Sequence, residues 1–127
     1  MSEPLFQRVA LIGIGLIGSS LAHNIRARKL AGHVAITTRR AATLTRAEEL
    51  GLGDSYHLDA SDAVRDADLV ILCVPVGSCG AVTKEIAGAL KPGAIVSDVG
   101  SVKGAIVQQM QPHLPDHVHF VPAHPIA

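Results

Sequence analysis

Three glycines at fixed offsets, two arginines about twenty residues beyond them and a proline-flanked histidine near the C-terminus form the reactive or ligand-holding part of this 127-residue chain. Gly13-Ile14-Gly15-Leu16-Ile17-Gly18 is a G-x-G-x-x-G stretch. It follows the apolar run 8–12 and opens an amphipathic segment, which is the context in which such a turn cradles a pyrophosphate. Gly13 permits the tight turn, Gly15 lets the backbone approach the phosphates, and Gly18 lets the helix lie close to the strand. The helix N-terminus then offers N–H groups and the positive end of its dipole to an anion. Leu16 and Ile17 lie in the same turn. A glycine-rich turn with no ligand is the competing explanation.

A turn that binds NAD usually has an acidic residue about twenty positions on, which holds the ribose 2′-hydroxyl. Here that position is Thr38, followed by Arg39 and Arg40. A carboxylate would repel a 2′-phosphate, whereas an arginine pairs with it. On charge grounds NADP is preferred, with NAD still possible. Arg39 is the expected clamp and Thr38 a second donor, while Arg40 serves equally well as a solvated first-turn residue of the next helix.

Ligands of open α/β sheets bind outside the carboxyl ends of the strands. That rule singles out Thr38-Arg39, Val74-Pro75-Val76, Asp98 through Lys103, and Pro122-Ala123-His124-Pro125. His124 sits just past an apolar strand, between two prolines that restrict its backbone. A neutral imidazole held there can take a proton from a hydroxyl undergoing oxidation. Ser101 either caps the helix beginning near Gly104 or presents its hydroxyl to the site, and both can hold together. The other six histidines are read as incidental. His113, His117 and His119 lie in a proline-containing connection without ligand spacing, so no metal site is expected.

Composition narrows the function classes. Hydrophobic residues make up 48% and charged residues 17%, which excludes a disordered chain. Lys+Arg and Asp+Glu are 11 each, for a formal net charge of zero, and aromatics are 2%. Neither balance suits a nucleic-acid or membrane-surface binder. Between Pro4 and Ala47 there is no acidic residue, while Arg8, Arg26, Arg28, Lys29, Arg39, Arg40 and Arg46 all fall there. A basic first third on a neutral chain suits a small anionic ligand, with Arg26, Arg28 and Lys29 read as solvated helix residues. Cys73 reads as a small buried hydrophobe, and two cysteines exclude a disulfide-dense secreted scaffold. Residues 8–22 have the flavour of a signal peptide but are too short to span a bilayer and carry the glycine offsets instead. A cytoplasmic protein is expected.

The elements that must position these residues alternate in type. Strands are predicted over 8–12, 33–38, 55–58, 68–74, 94–98 and 118–121. Helices are predicted over 16–29, 41–50, 60–65, 80–90 (with Ser78 as cap) and 104–111. Val70, Ile71, Leu72 and Ile95 are assigned to the core. Strands alternating with such helices imply βαβ units. The expected fold is α/β: a Rossmann-type, doubly wound, mainly parallel sheet of about six strands in the order 3-2-1-4-5-6, with helices on both faces.

Ile12 through Leu21, Leu72-Cys-Val-Pro-Val76, Ser97-Asp-Val-Gly-Ser-Val-Lys103 and His124-Pro-Ile-Ala127 together resemble the prephenate/arogenate (cyclohexadienyl) dehydrogenases of tyrosine biosynthesis. The resemblance covers nearly the whole chain, and D-x-G-S-V-K followed by H-P-I-A is its specific part. It implies an oxidative decarboxylation, with hydride passing to the nicotinamide of NADP or NAD, on prephenate or arogenate as small-molecule substrate. By the same resemblance His124 hydrogen-bonds the substrate hydroxyl and accepts its proton, and Ser101 supports His124 and the nicotinamide end. Family members continue into a helical domain that supplies substrate-binding arginines and a homodimer interface. Residues 1–127 are therefore expected to be the NAD(P)-binding domain, inactive or very weak in turnover alone, with a homodimer only in the full-length protein. Two alternatives stay open. One is another Rossmann NADP-dependent oxidoreductase, pyrroline-carboxylate reductase-like or β-hydroxyacid dehydrogenase-like. The other is a non-catalytic NAD(P)-sensing module.

Overall fold

The computed structural model describes residues 5–99, 107–108 and 110–121. Their order is β1 (Phe6–Ile12), α1 (Gly15–Ala27), β2 (Ala31–Thr37), α2 (Ala41–Glu49), β3 (Ser55–His57), α3 (Ala60–Val64), β4 (Leu69–Leu72), α4 (Cys79–Ile86), β5 (Ile95–Asp98) and β6 (His119–Phe120). The sheet runs β3-β2-β1-β4-β5-β6, and every pairing is parallel. This is the expected doubly wound topology. The helix predicted over 104–111 falls mainly outside the described residues.

Alternation along each central strand sorts the side chains into two cores. Val9, Leu11, Val34 and Ile36 point to one face and pack with Ala22, Ile25, Leu44 and Ala47 of α1 and α2. Ala10, Ile12, Ala35, Val70, Leu72 and Val96 point to the other and meet Ala63, Val64, Val82 and Ile86 of α3 and α4. Strands buried on both faces read as continuous apolar runs, which is why β1 and β4 are the most legible. Val70 and Leu72 are fully buried, but Ile71 and Ile95 are only half-buried and so less central than expected.

Some boundaries move for identifiable reasons. β4 stops at Leu72 rather than Val74, because Cys73 turns aside beneath the glycine turn while its amide still donates to the Ile12 carbonyl at 2.7 Å. Ser78 does not cap α4: its backbone is already helical, its hydroxyl makes no cap bond, and a 3₁₀ turn over Val76–Ser78 leads into the helix. α4 ends at Ile86, where Ala87–Ala89 tightens into a second 3₁₀ turn. Asp59 caps α3 instead, accepting from the Ser61 amide at 2.9 Å.

Two carboxylates fasten the amino edge of the sheet. Asp68 accepts from the Gln7 and Arg8 amides at 2.8 and 3.1 Å and pairs with Lys91. The Lys91 hydrogen bond, against some desolvation, holds its carboxyl below the usual range. Asp54 accepts from the Val34 amide at 2.7 Å and pairs with Arg26 at 3.0 Å. Burial pushes this carboxyl up, but the Val34 amide and Arg26 outweigh it, so it too titrates low. Arg26 is an exposed helix residue, as expected, and also ties α1 to the segment before β3.

On the α3 side, His33 and His57 both bring Nε2 to the Ser55 hydroxyl, at 2.7 and 2.9 Å. A hydroxyl donates one hydrogen, so at most one imidazole accepts from it and at least one donates to it. Burial lowers the His57 pKa below 6.5, Arg8 and His33 lower it further, and Asp62 opposes them. The folded state thus favours neutral His57, and the unfolded chain takes up its proton first. Stability should fall as pH drops below 6.5, before Asp54 and Asp68 titrate below 3.8. Thermal unfolding at pH 7.5 and pH 5.0 checks this. His57→Gln should flatten the difference, and an unchanged pH slope in that variant would remove His57 as its source.

Candidate cofactor site

The glycine turn forms where β1 leaves the sheet beside the end of β4. Gly13 has φ +83° and donates its amide to the Thr37 carbonyl at 2.8 Å. A Cβ there would stand 2.8 Å from the Cys73 carbonyl oxygen and 2.9 Å from Val74 Cγ1, so only glycine fits. A Cβ on Gly18 would come 3.1 Å from the Gly13 carbonyl oxygen and 3.4 Å from Cys73 Cβ. The first turn of α1 therefore lies close against the β4 exit. Burial pushes the Cys73 thiol in this contact up to about 12, which makes it a packing group rather than a nucleophile.

Gly15 is different. Its φ is +30°, and a Cβ there would meet nothing within 4 Å among the described residues. None of their contacts requires glycine at this point, which leaves room for a ligand to approach the turn. Leu16 and Ile17 follow in the first turn of α1. That helix begins with no side-chain cap at Ile14 and no acidic residue in its first turn. Its leading N–H groups and the positive end of its dipole suit an anion.

Beside the turn lies a cavity of about 320 Å³ across the carboxyl ends of β1, β2 and β4. Of the residues singled out in the sequence, Gly13, Thr38, Arg39, Val74 and Pro75 are among its walls, and Ile12, Thr37, Leu58, Ala60, Ser78, Val82 and Glu85 complete it. The volume is at the lower end of small-molecule sites. Arg39 is exposed at the cavity wall. Thr38 is buried, and its hydroxyl donates to the Arg40 carbonyl at 2.9 Å, so that hydrogen is already engaged. Arg40 is the N-cap residue of α2, exposed and away from the cavity lining. Both arginines add their charge to the positive end of α2, which has no acidic residue in its first turn.

An open turn backed by a helix without a side-chain cap, with a cavity alongside that carries Arg39 at one wall and Glu85 at another, fits a dinucleotide: diphosphate on the turn and a nucleoside in the cavity. Ser101 and His124 lie outside the described residues. Among the described residues no cluster of three His, Cys, Asp or Glu side chains is placed to hold a metal, and no helix is long and apolar enough to cross a membrane. The walls missed by sequence reasoning are mostly on one stripe of α4 and the turn before it. Ser78, Val82 and Glu85 are four and three positions apart, a helical-face signal available from spacing alone.

Comparison with known proteins agrees with this geometry. Residues 21–127 match the family described as prephenate dehydrogenase, nucleotide-binding domain. The cyclohexadienyl dehydrogenase of Zymomonas mobilis is 44% identical over 123 residues, covering 97% of this chain and 42% of that protein. The crystal structure of Aquifex aeolicus prephenate dehydrogenase in complex with hydroxyphenyl propionate and NAD+ superposes with a TM-score of 0.83 at 29% identity, over 94% of this chain and 42% of that one. Synechocystis arogenate dehydrogenase gives 0.82 at 31%, over 93% of this chain and 40% of that one. The chain thus spans about two-fifths of the length of these relatives. Both the match and the fold it predicts coincide with the sheet and turn described above, and the chain belongs to the prephenate dehydrogenase nucleotide-binding domain family.

Proposed function

We propose that this chain is the cofactor-binding domain of an NADP-preferring prephenate/arogenate dehydrogenase. The observation that carries the proposal is the pairing of Gly15's open approach with the Arg39-lined cavity at the same strand ends. The glycine turn receives the diphosphate on the α1 amides. Arg39 receives the 2′-phosphate, a charge-assisted contact that a plain ribose hydroxyl does not form. Val74 and Pro75 close the wall between the turn and the cavity. When bound, the nicotinamide supplies the hydride acceptor.

His124 takes the proton of the substrate hydroxyl, and Ser101 positions it. These two roles rest on the sequence motifs that carry them and on the family. Substrate orientation falls to a second domain in the whole protein, as do dimer contacts. The substrate is prephenate or arogenate, and the whole enzyme works in the cytoplasm. Loss of CO₂ and aromatisation of the ring drive the reaction, so the protein's main tasks are orientation and one base.

Arg39→Ala tests the cofactor preference. It should weaken NADP+ binding by about 1–3 kcal/mol and leave NAD+ binding nearly unchanged, as a lost charge-assisted hydrogen bond would. Calorimetric titration of both cofactors reads the difference. Equal losses for the two would place the 2′-phosphate elsewhere.

A further inference from the structure

We propose that Glu85 reads the adenine base of the bound dinucleotide, its carboxylate accepting a hydrogen from the exocyclic amino group. The proposal deepens the cofactor reading above and rests on it. Glu85 and Arg39 are the two charged residues on the cavity wall, which also carries the hydroxyls of Thr37, Thr38 and Ser78 among apolar groups such as Leu58, Ala60, Pro75 and Val82. Such walls suit the faces of a flat heterocycle, whose edge must then be read by the few polar groups present. In the cofactor reading Arg39 takes the phosphate end, next to Thr38 and the α2 N-terminus, and Glu85 is the acidic acceptor that α4 brings to the same cavity.

Glu85 makes no ion pair with Arg39 and, among the described residues, its carboxylate has no hydrogen-bond partner. Only its backbone is engaged: the Ser61 hydroxyl donates to the Glu85 carbonyl at 3.3 Å, tying α3 to α4 beside the cavity. Its position is also locally unfavourable. Glu85 is the penultimate residue of α4 (Cys79–Ile86), at the negative end of the helix, where a carboxylate is disfavoured. A residue that opposes its helix dipole without an internal partner marks a place where local preference yields to a site.

The chemistry is selective. A carboxylate at neutral pH only accepts hydrogen bonds, and adenine offers an amino donor at the position where hypoxanthine offers a carbonyl oxygen. The adenine form gains a charge-assisted bond, and the hypoxanthine form sets two acceptors against each other. Because Glu85 is exposed, the discrimination should be about tenfold at most rather than the much larger ratios of fully buried sites.

The test titrates NADP+ and its hypoxanthine analogue, nicotinamide hypoxanthine dinucleotide phosphate, into the wild-type chain and Glu85→Gln. The wild type should bind the adenine form about tenfold tighter. In Glu85→Gln, whose amide can also donate, the two affinities should come within about twofold. An unchanged melting temperature would show that the fold is intact. A wild type that binds both forms equally, or a variant that keeps the wild-type ratio, overturns the role of Glu85 while the cofactor reading stands. A wild type that binds neither overturns both.

Discussion

Gly13→Ala should destabilise the chain by about 2–5 kcal/mol, and Gly15→Ala should instead leave it folded but with weakened dinucleotide binding. At Gly13 two costs add. A left-handed backbone costs a residue with a Cβ about 1–2 kcal/mol. The new methyl also overlaps the Cys73 carbonyl oxygen at 2.8 Å and Val74 Cγ1 at 2.9 Å, and overpacking of this kind costs about 1–3 kcal/mol. The carbonyl belongs to the backbone between β4 and α4 and is held by the Cys73 amide bond to Ile12, so relief requires moving a strand end. At Gly15 only the backbone cost applies, since the methyl enters open space. That space is where the diphosphate must come within hydrogen-bond distance of the α1 amides. A methyl there should weaken dinucleotide binding tenfold or more, equivalent to about 1.4 kcal/mol or more. Urea unfolding and calorimetry on the two variants separate the effects. If Gly15→Ala bound dinucleotide like the wild type, the diphosphate would not sit on this turn.

His124→Asn, made in a protein of the relatives' full length, should lower kcat by about 10²- to 10⁴-fold, the usual contribution of a positioned general base. Asparagine keeps a hydrogen bond to the substrate hydroxyl but cannot accept its proton. Cofactor affinity should hardly change, because His124 is assigned to the substrate and not to the phosphates. In the unmodified enzyme the rate should rise with pH as the neutral imidazole becomes the prevailing form. Steady-state kinetics across pH 5.5–8 would show both effects. Normal turnover in the variant, or a flat profile in the parent, would remove His124 from the proton transfer.

The site divides sharply into what the sequence discloses and what only the fold assembles. The glycine turn was legible because each of its constraints is local: an apolar strand, three offsets, an amphipathic helix. Thr38 and Arg39 were legible because a fixed count from the turn reaches the end of β2. β1 and β4 stood out because burial on both faces leaves no polar residue to interrupt the run. The Asp54 and Asp68 anchors were not legible. Asp68 meets Gln7 and Arg8 from sixty residues away, and nothing near it in sequence announces that pairing. Spacing alone puts Glu85 on one stripe of α4 with Ser78 and Val82, but that this stripe looks onto the cavity depends on how the helix packs on the sheet. Ser78 carried a false signal: serine before a helix usually caps it, but the preceding 3₁₀ turn had already satisfied the geometry. At Thr38 the residue type was readable, but the bond from its hydroxyl to the Arg40 carbonyl was not.

The central claim is that this chain alone holds a nicotinamide dinucleotide on its glycine turn and prefers the 2′-phosphorylated form. Isothermal titration of the 127-residue chain with NADP+ and, in parallel, NAD+ tests it most directly. The expected result is saturable binding of both, with NADP+ the tighter. Binding of neither, or tighter binding of NAD+, would contradict it.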